Sequence, residues 1–294
     1  MWGCLGLDPS PSPTAESPAP VASTGTSASP GTSPASSLAP SPAATGPITS
    51  KPAPCPGTDR TPGAAAGRRV TGSSSNWSGY VAAVRKTGVT CVEASWIEPS
   101  VTCSHTGHQA VAIWIGIDGF SSSLLGIPKT NILIQVGTQA DCNSGTATHR
   151  FWHEVLPADP TEVTDPGPVH AGDHISARIL YAGGTYTMAI HDAETDWTWT
   201  TVATAPGAPR KTAEWIVEAP ASNCPGSCAP VALPKFTAVT FTNAHATIAG
   251  QRSSINDDSW THVKLRMSRN GIVRTSTSSL SSHGTTFKVT FVHR

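Results

Sequence analysis

An amide side chain, Gln135, lies at the centre of the apolar stretch TNILIQVGTQ (130–139). Burying an amide without a partner costs about 1–3 kcal/mol, so this residue needs either a partner or access to a cleft. Successive side chains of a strand point to opposite faces. Gln135 therefore shares a face with Gly137 and points away from Ile134 and Val136. The pattern indicates an amide that points into a groove, where it can hydrogen-bond a bound molecule.

Three other predicted strands place chemically active side chains on the same kind of face. The same alternation selects Trp114 and Asp118 in AIWIGIDG, Trp152 and Glu154 in HRFWHEVLP, and Glu218 in AEWIVE. A solvated outer face normally carries Thr, Ser and Lys. Tryptophans interleaved with carboxylates and an amide are instead typical of a concave binding cleft. We expect the amide and the acid to project from neighbouring strands into one shared groove.

Other catalytic motifs fit poorly. The chain has no G-x-S-x-G elbow and no P-loop. The motif beginning at His153-Glu154 resembles a zincin helix, but Pro157 replaces the second histidine. His149 and His153 are four residues apart on a predicted strand, about 13 Å, which is too far for one metal. Asn76-Trp77-Ser78 matches a glycosylation sequon, but it lies in a predicted strand.

The elements that must position these residues are short strands. From Ser73 onward, β-rich runs alternate with Gly, Pro, Asn, Asp and Ser, and no long helical period competes. Gly183-Gly184 and Asn270-Gly271 are strong hairpin signals. About 220 residues of this texture predict an all-β fold, a single antiparallel β-sandwich or jelly roll spanning 73–294.

The first 72 residues have a different texture. Residues 9–50 are almost entirely Ser, Pro, Ala, Thr and Gly, and 51–72 remain rich in Pro and Gly. Such a segment cannot bury enough apolar surface to offset its ordering entropy, so 1–72 is predicted to be a disordered tether or propeptide-like segment. Cys4 follows Gly3 ahead of this tract, as at the end of a bacterial lipoprotein signal; it is either a possible lipid anchor or a leftover residue.

Composition narrows the partners and the location. The 294 residues carry 19 basic and 19 acidic side chains, so no basic patch for nucleic acid is expected. No apolar run is long enough to span a bilayer. Six of the seven cysteines could form three bridges, an arrangement typical of a secreted or extracytoplasmic protein. Cys224–Cys228 encloses a turn, and Cys103–Cys142 with Cys55–Cys91 completes one pairing, although the sequence does not fix it.

Seven motifs in order resemble the glutamic peptidases, also called eqolisins. The resemblance covers about 73–294 and is carried by SNWSGYV (75–81), VEASWIEPS (92–100), IWIGIDG (113–119), LIQVG (133–137), FWHEVLP (151–157), AGDHI (171–175) and AEWIVE (213–218). It implies a lectin/glucanase-type (concanavalin A-like) sandwich of two seven-stranded antiparallel sheets. It also implies an endopeptidase that acts on protein or peptide substrates, here expected to be a monomer.

The family's functional residues carry over position by position. The resemblance implies Gln135 and Glu218 as catalytic residues, and Trp114, Asp118, Trp152 and Glu154 as substrate-cleft residues. Glu218 would act as general base on water and then as general acid toward the departing amine. In the alternative order, a protonated Glu218 would first polarise the peptide carbonyl. In both, Gln135 would stabilise the oxyanion. No metal or cofactor is required, and an acidic pH optimum is expected. Leu156, Pro220 and Ala221 depart from the family pattern, which puts subsite preference in question.

Two rival functions remain from the residues alone. Glu214-Trp215-Ile216-Val217-Glu218 resembles the E-x-D-x-E strand of some jelly-roll glucanases, but the middle acid is Ile216. A retaining glycosidase would need two carboxyl groups about 5–5.5 Å apart, and nothing in that reading requires Gln135. The other rival is a non-catalytic carbohydrate- or peptide-binding module on the same fold.

Overall fold

A computed structural model describes residues 51–61, 68–165, 169–221 and 229–294. Within these ranges the chain forms strands, one 3-10 helix at Ser123–Leu125 and no α-helix, which confirms the all-β prediction. The strands are β1 Thr58–Asp59, β2 Arg69–Ser74, β3 Trp77–Ala83, β4 Val89–Ile97, β5 Val101–Thr102, β6 His108–Ile117, β7 Ile134–Asn143, β8 Thr146–Val155, β9 Thr161–Val163, β10 His174–Ala182, β11 Thr185–Asp192, β12 Trp197–Ala203, β13 Thr212–Glu218, β14 Lys235–Phe236, β15 Val239–Ile248, β16 Gln251–Ser254, β17 Thr261–Arg269, β18 Ile272–Val273, β19 Thr275–Thr277 and β20 Phe287–Phe291.

Two large sheets pack face to face. The first, which we call the site sheet, has the order β18-β17-β3-β13-β6-β7-β8-β9, with β2 beside β17. The second, the back sheet, has the order β1-β16-β15-β4-β10-β11-β12, with β20 and β19 joined through β15. The pairings are antiparallel except for β1 with β16 and β2 with β17. This architecture is the predicted antiparallel sandwich, but each large sheet has nine strands rather than the expected seven.

The main core lies between the two sheets and follows from strand alternation. On β6, Ile113, Ile115 and Ile117 are fully buried and point toward the back sheet. Trp215 on β13 crosses to the back sheet, where its indole N–H donates to the Glu93 carbonyl at 2.9 Å. These aliphatic side chains pack in the core between the sheets. Gln135 and its neighbours therefore lie on the opposite face of the site sheet.

Both predicted hairpins are confirmed. Gly183 and Gly184 join β10 to β11, with φ of 58° and 89°, and Ala182 pairs with Thr185. Asn270 and Gly271 join β17 to β18 with φ of 53° and 75°. Two consecutive positive φ values are the backbone requirement of the tightest hairpin turn, which explains the residue types at these positions.

The sandwich extends further toward the N-terminus than the predicted start at Ser73. Strand β1 pairs with β16 of the back sheet, and β2 pairs with β17 of the site sheet. The disulfide Cys55–Cys91 ties the segment before β1 to strand β4, and Cys103–Cys142 forms as well. These two predicted bridges are confirmed, whereas Cys224, Cys228, Cys4 and the tract 1–50 lie outside the described residues.

Candidate active site

The face of the site sheet that points away from the core is organised in cross-strand rows. In an antiparallel sheet, directly opposed residues project to the same side. The middle row runs Ile216, Trp114, Gly137 and Trp152, across β13, β6, β7 and β8. Ile216, Trp114 and Trp152 belong to a second apolar cluster that is separate from the main core. The two tryptophans predicted for the cleft therefore lie side by side, separated by a glycine.

Trp114 has room on this face because two neighbouring positions lack side chains. A Cβ on Gly137 would lie 2.1 Å from the Ile113 carbonyl oxygen and 2.7 Å from the Trp114 Cβ. A Cβ on Gly116 would lie 2.8 Å from the Trp114 ring. Trp77 packs edge-on against this ring, with centroids 5.0 Å apart and planes at 78°. Glycine at both positions is therefore needed for the indole to lie where it does.

The Glu218 carboxyl is held at the end of β13 by two neutral donors. Trp114 Nε1 donates to Oε2 at 2.8 Å, and Asn76 Nδ2 donates to Oε1 at 2.9 Å. Burial raises the pKa of Glu218 to about 7 and the nearby Glu154 charge adds to the rise, against the lowering effect of the Trp77 indole N–H and of the hydrogen bonds from Trp114 and Asn76. The carboxyl is thus fixed in orientation and holds its proton up to near neutrality.

The amide of Gln135 is buried, 4% exposed, but on the cleft face rather than in the main core. Its Nε2 donates to Glu154 Oε2, directly across the β7–β8 pair. Its Oε1 accepts no hydrogen bond from any described residue. Burial raises the pKa of Glu154 to about 7. One end of the amide is therefore anchored, and the other is a desolvated acceptor free to take a donor.

Gln135 and Glu218 share a face but do not lie on neighbouring strands, which corrects that expectation. Strand β6 separates β7 from β13. Gln135 is opposite Gly116, and Glu218 is opposite Ala112, so their backbones are offset by four residues along β6. The Trp114 indole occupies the row between them and reaches Glu218. Glu154, hydrogen-bonded to Gln135, interacts electrostatically with Glu218, which links the two groups across the face.

Asp118 is not brought into this group. It lies one residue beyond β6 with a φ of 68°, so strand alternation no longer applies to it. Its oxygens accept the backbone N–H groups of Arg210 and Lys211 at 2.7 and 2.8 Å, and the residue is 1% exposed. Burial raises its pKa to about 6. The contacts seen for Asp118 fix a loop, and its assignment to substrate binding stays a prediction.

Trp152 lies on the face as predicted, and its indole N–H is buried without a hydrogen-bond partner among the described residues. The Trp152 N–H is an unsatisfied donor on this face, and Gln135 Oε1 is an unsatisfied acceptor. Buried polar atoms are rarely left in this state unless water or a ligand completes them. Peptide groups carry both a carbonyl oxygen and an N–H and are suited to these two positions.

Two residues near the site are not among those that the resemblance to the glutamic peptidases implies as functional. In the sequence Asn76 matches only a glycosylation sequon, and no local pattern signals its contact with Glu218. Glu214 lies fully buried two rows from Glu218, opposite Gly116, and neither oxygen accepts a hydrogen bond of normal geometry from a described residue. Burial raises the pKa of Glu214 well above the usual value. Alternation with Glu218 predicts its place on this face, but alternation alone does not predict that it is fully buried.

A separate acidic group lies at the back sheet. Carboxylate oxygens of Asp173, Asp192 and Glu194 lie within 4.8 Å of one another. Asp173 and Asp192 accept hydrogen bonds from nearby backbone N–H groups, and Glu194 accepts from His174. Internal donors therefore account for this cluster, and we assign no metal to it.

Comparison with known proteins identifies the class. The model of the Peptidase A4 family matches residues 75–290. The chain belongs to this family, the eqolisins, and is a glutamic endopeptidase, as the sequence motifs predicted. Comparison with curated proteins gives no match.

Solved structures agree on the fold. The chain is similar to scytalido-glutamic peptidase solved with a transition state analog inhibitor, at 21% identity and a TM-score of 0.62, over 74% of this chain and 99% of that one. It is also similar to aspergilloglutamic peptidase from Aspergillus niger, at 24% identity and a TM-score of 0.50, over 63% of this chain and 99% of that one. In the described part of the chain, no helix is long and apolar enough to cross a membrane.

Proposed function

We propose that the protein hydrolyses internal peptide bonds under acidic conditions with Gln135 and Glu218 as its catalytic pair. The observation that carries the proposal is the state of Glu218: a carboxyl oriented by Trp114 and Asn76, with its pKa raised to about 7, on the same face as the free amide oxygen of Gln135. A carboxyl that gains or loses a proton near the working pH is suited to general acid–base catalysis.

The raised pKa favours the order in which Glu218 starts protonated. As water attacks the peptide carbonyl, Glu218 gives its proton to the carbonyl oxygen and then accepts one from the attacking water, which leaves a neutral gem-diol. Glu218 next protonates the amide nitrogen, the C–N bond breaks, and the protonated acid returns its proton to Glu218. The carboxyl that begins the cycle is thereby restored, and no other titrating group is needed.

Gln135 contributes at two atoms. Its Oε1 can accept a hydrogen bond from the attacking water and so orient it, because this atom has no partner among the described residues. An N–H of its amide can donate to an oxygen of the tetrahedral intermediate, and loss of one such donor typically costs about 10²–10³ in rate. The bond from Gln135 to Glu154 fixes which end of the amide faces the water.

Substrate binding follows from the apolar and polar surface around the pair. Trp114 is fully buried and Trp152 is 6% exposed, so their rings form the apolar floor of this face, and the indole N–H of Trp152 can donate to a backbone carbonyl of an extended peptide. Leu156 packs in the same apolar cluster, where the family pattern has an aromatic residue. A preference for apolar side chains on the substrate is consistent with this lining.

The test is loss of proteolysis in two folded variants. Glu218→Gln should lower kcat/KM on a denatured protein at acidic pH by about 10²–10⁴, and Gln135→Ala by about 10²–10³. Exposed Asp196→Asn, in the turn between β11 and β12, and Gln251→Ala on β16, both on the back sheet, are the matched controls and should keep wild-type activity. Wild-type activity in either site variant, with folding confirmed by circular dichroism, would exclude the pair.

A parallel polysaccharide assay addresses the glycosidase alternative. That reading uses Glu214 and Glu218 as two catalytic carboxyls, but Glu214 is fully buried and the intervening cleft-face residue is Ile216. A substrate would therefore reach only one of the two acids. Hydrolysis of a β-glucan without proteolysis would reverse the proposal, whereas ligand binding with neither activity would favour a binding module.

An extracytoplasmic location is part of the proposal. Disulfides persist mainly in oxidising compartments, and the bridges Cys55–Cys91 and Cys103–Cys142 connect residues 36 and 39 positions apart. Mass spectrometry of the protein recovered from its host would report whether the chain is secreted, whether 1–72 is removed, and whether Cys4 carries lipid. Size-exclusion chromatography would test the expected monomer.

A further inference from the structure

Asn76 immediately precedes β3, the strand next to β13, and its side chain contacts Glu218. Its side chain is almost fully buried, and its Nδ2 donates to Glu218 Oε1 at 2.9 Å. Its backbone carbonyl accepts the N–H of Ala219, the residue after Glu218, at 2.9 Å. Asn76 therefore holds the end of β13 through both its main chain and its side chain.

A serine fixes the orientation of the Asn76 amide. Ser74 Oγ donates to Asn76 Oδ1 at 3.2 Å. Ser74 Oγ also accepts hydrogen bonds from the backbone N–H groups of Asn76 and Trp77. A hydroxyl has one donor and two acceptor positions, so all three are used. With its oxygen bound by the hydroxyl, the amide can present only its nitrogen to Glu218. An amide donor at this position cannot rotate without breaking two hydrogen bonds.

We propose that Asn76 is a positioning residue for the catalytic carboxyl, with Ser74 fixing its amide, so that Ser74, Asn76 and Glu218 form one hydrogen-bonded unit. This inference rests on the proposed role of Glu218. Trp114 supplies the second fixed donor, on Oε2. The two donors together hold both carboxyl oxygens, and neither contributes a charge or a titrating group that would compete with Glu218 for protons.

The same contacts bear on the sequon Asn76-Trp77-Ser78. Glycosylation requires a free amide nitrogen, but Asn76 is buried with both of its amide atoms bonded. Ser78 is fully buried as well, and its hydroxyl lies against Thr275. In the folded protein this sequon therefore serves the carboxyl and is closed to a glycan.

The test compares Asn76→Asp, Asn76→Ala and Ser74→Ala by kcat, KM and the pH dependence of kcat. Asn76→Ala should lower kcat by about 10- to 100-fold, the factor that corresponds to a hydrogen bond to a charged group. KM should change little, because Asn76 sits behind the carboxyl. The loss of a donor to the ionised form should also move the alkaline fall of kcat to higher pH. Ser74→Ala should show the same changes at smaller size.

Asn76→Asp keeps the size and shape of the side chain, so it still tests the inference if the alanine variant does not fold. Below its pKa the new carboxyl has an O–H that can donate to Glu218, so activity should persist in strong acid. As that carboxyl ionises, it can no longer donate, so kcat should drop by about the factor expected for Asn76→Ala. Its negative charge also raises the pKa of Glu218, so the remaining activity should fall at a higher pH than in the wild type. A merely structural asparagine would give altered stability with an unchanged pH profile.

Ser254 and Asn256 provide a matched control elsewhere in the sandwich. Ser254 Oγ donates to Asn256 Oδ1 at 2.8 Å, the same serine-to-asparagine contact two residues apart. Asn256→Ala should leave kcat and its pH profile unchanged. If Glu218→Gln is inactive but the Asn76 variants keep wild-type kcat and pH dependence, the inference about Asn76 is wrong. If Glu218→Gln itself is active, the proposed function fails first, and the two outcomes are distinct.

Discussion

Trp114 and Glu218 are joined by a diagonal hydrogen bond across two strands. Trp114 pairs with Ile216, whereas Glu218 pairs with Ala112, yet Trp114 Nε1 lies 2.8 Å from Glu218 Oε2. The indole must lean along β6 to reach the carboxyl, and Gly116 and Gly137 leave room for it. One residue thus lines the cleft with its ring and orients the acid with its N–H.

The first prediction concerns pH and the charge of Glu154. Because burial and the Glu154 charge raise the pKa of Glu218 to about 7, the carboxyl is protonated in acid and ionises near neutrality. Activity that requires the protonated form should be high in acid and fall as pH rises through about 7. Glu154 ionises over the same range, because burial raises its own pKa to about 7. Glu154→Gln removes the charge that opposes ionisation of Glu218, so this fall should move to lower pH. The measurement is kcat/KM between pH 3 and 9 on an uncharged peptide.

The direction in which the alkaline fall of activity moves in each variant tests whether protonated Glu218 is the active form. Removing a nearby negative charge lowers the pKa of an acid, whereas removing the Asn76 donor raises it, so the two variants should move the fall in opposite directions. Asp196→Asn, at an exposed turn of the back sheet, should move it in neither direction. An activity that instead rises with pH through 7 would mean that Glu218 works as a base from its ionised form.

Alternation along strands predicted much of this site, because a period of two assigns each side chain to a face without knowledge of the fold. Trp114, Gln135, Trp152, Glu154 and Glu218 all lie on the face so selected. Alternation failed to place Asp118, because its positive φ ends the strand pattern one residue earlier. A single residue in a left-handed conformation redirects everything after it.

Strand order and distant contacts were beyond the reach of local patterns. Strands β7 and β8 are consecutive in the chain and pair with each other, but β13 inserts between β3 and β6 from far along the chain. That insertion puts β6 between Gln135 and Glu218, which no local signal predicts. The contact of Asn76 with Glu218 joins residues 142 positions apart and depends on the same insertion. Such contacts are set by packing of the whole sandwich rather than by short-range sequence.

A second prediction concerns stability and pH at Asp118. Burial raises its folded-state pKa from the usual 3.8 to about 6, so between these values the folded chain holds a proton that the unfolded chain has lost. The free energy of unfolding should therefore fall as pH rises from about 4 to about 6, by about 3 kcal/mol for this group at 1.36 kcal/mol per pKa unit.

Asp118→Asn isolates that contribution. The amide stays neutral at every pH, but it can accept only one of the two backbone N–H groups, which should cost about 1–3 kcal/mol in acid. The difference in free energy of unfolding between Asp118→Asn and the unsubstituted protein should be largest at pH 4 and should be smaller at pH 7. Urea unfolding at several pH values, in a Glu218→Gln background to prevent self-cleavage, measures it. Exposed Asp165→Asn is the control, and a gap independent of pH would contradict the assignment.

A third prediction concerns the bridge Cys103–Cys142, which anchors the far end of β7, the strand that carries Gln135. The bridged residues are 39 positions apart, and loop-entropy estimates for that length give about 4 kcal/mol. Replacing both cysteines by serine should lower the free energy of unfolding by about this amount and leave kcat of the folded enzyme near wild type. Denaturant unfolding with and without reductant checks it; equal stability of variant and parent would show that the bridge contributes nothing.

The last prediction tests whether the middle row of the cleft face is fully packed. Gly137→Ala would place a Cβ 2.1 Å from the Ile113 carbonyl oxygen, a backbone atom that cannot move aside, and 2.7 Å from the Trp114 Cβ. The two strands must separate or Trp114 must shift, so we expect about 3 kcal/mol or more of destabilisation together with a loss of kcat.

Gly88→Ala is the matched control, because its nearest neighbour lies 3.4 Å away and its backbone is not left-handed. Gly88→Ala should stay within about 1 kcal/mol of wild type with unchanged activity. If Gly137→Ala behaved the same way, Trp114 would not be held tightly, and its hydrogen bond could not be what orients Glu218.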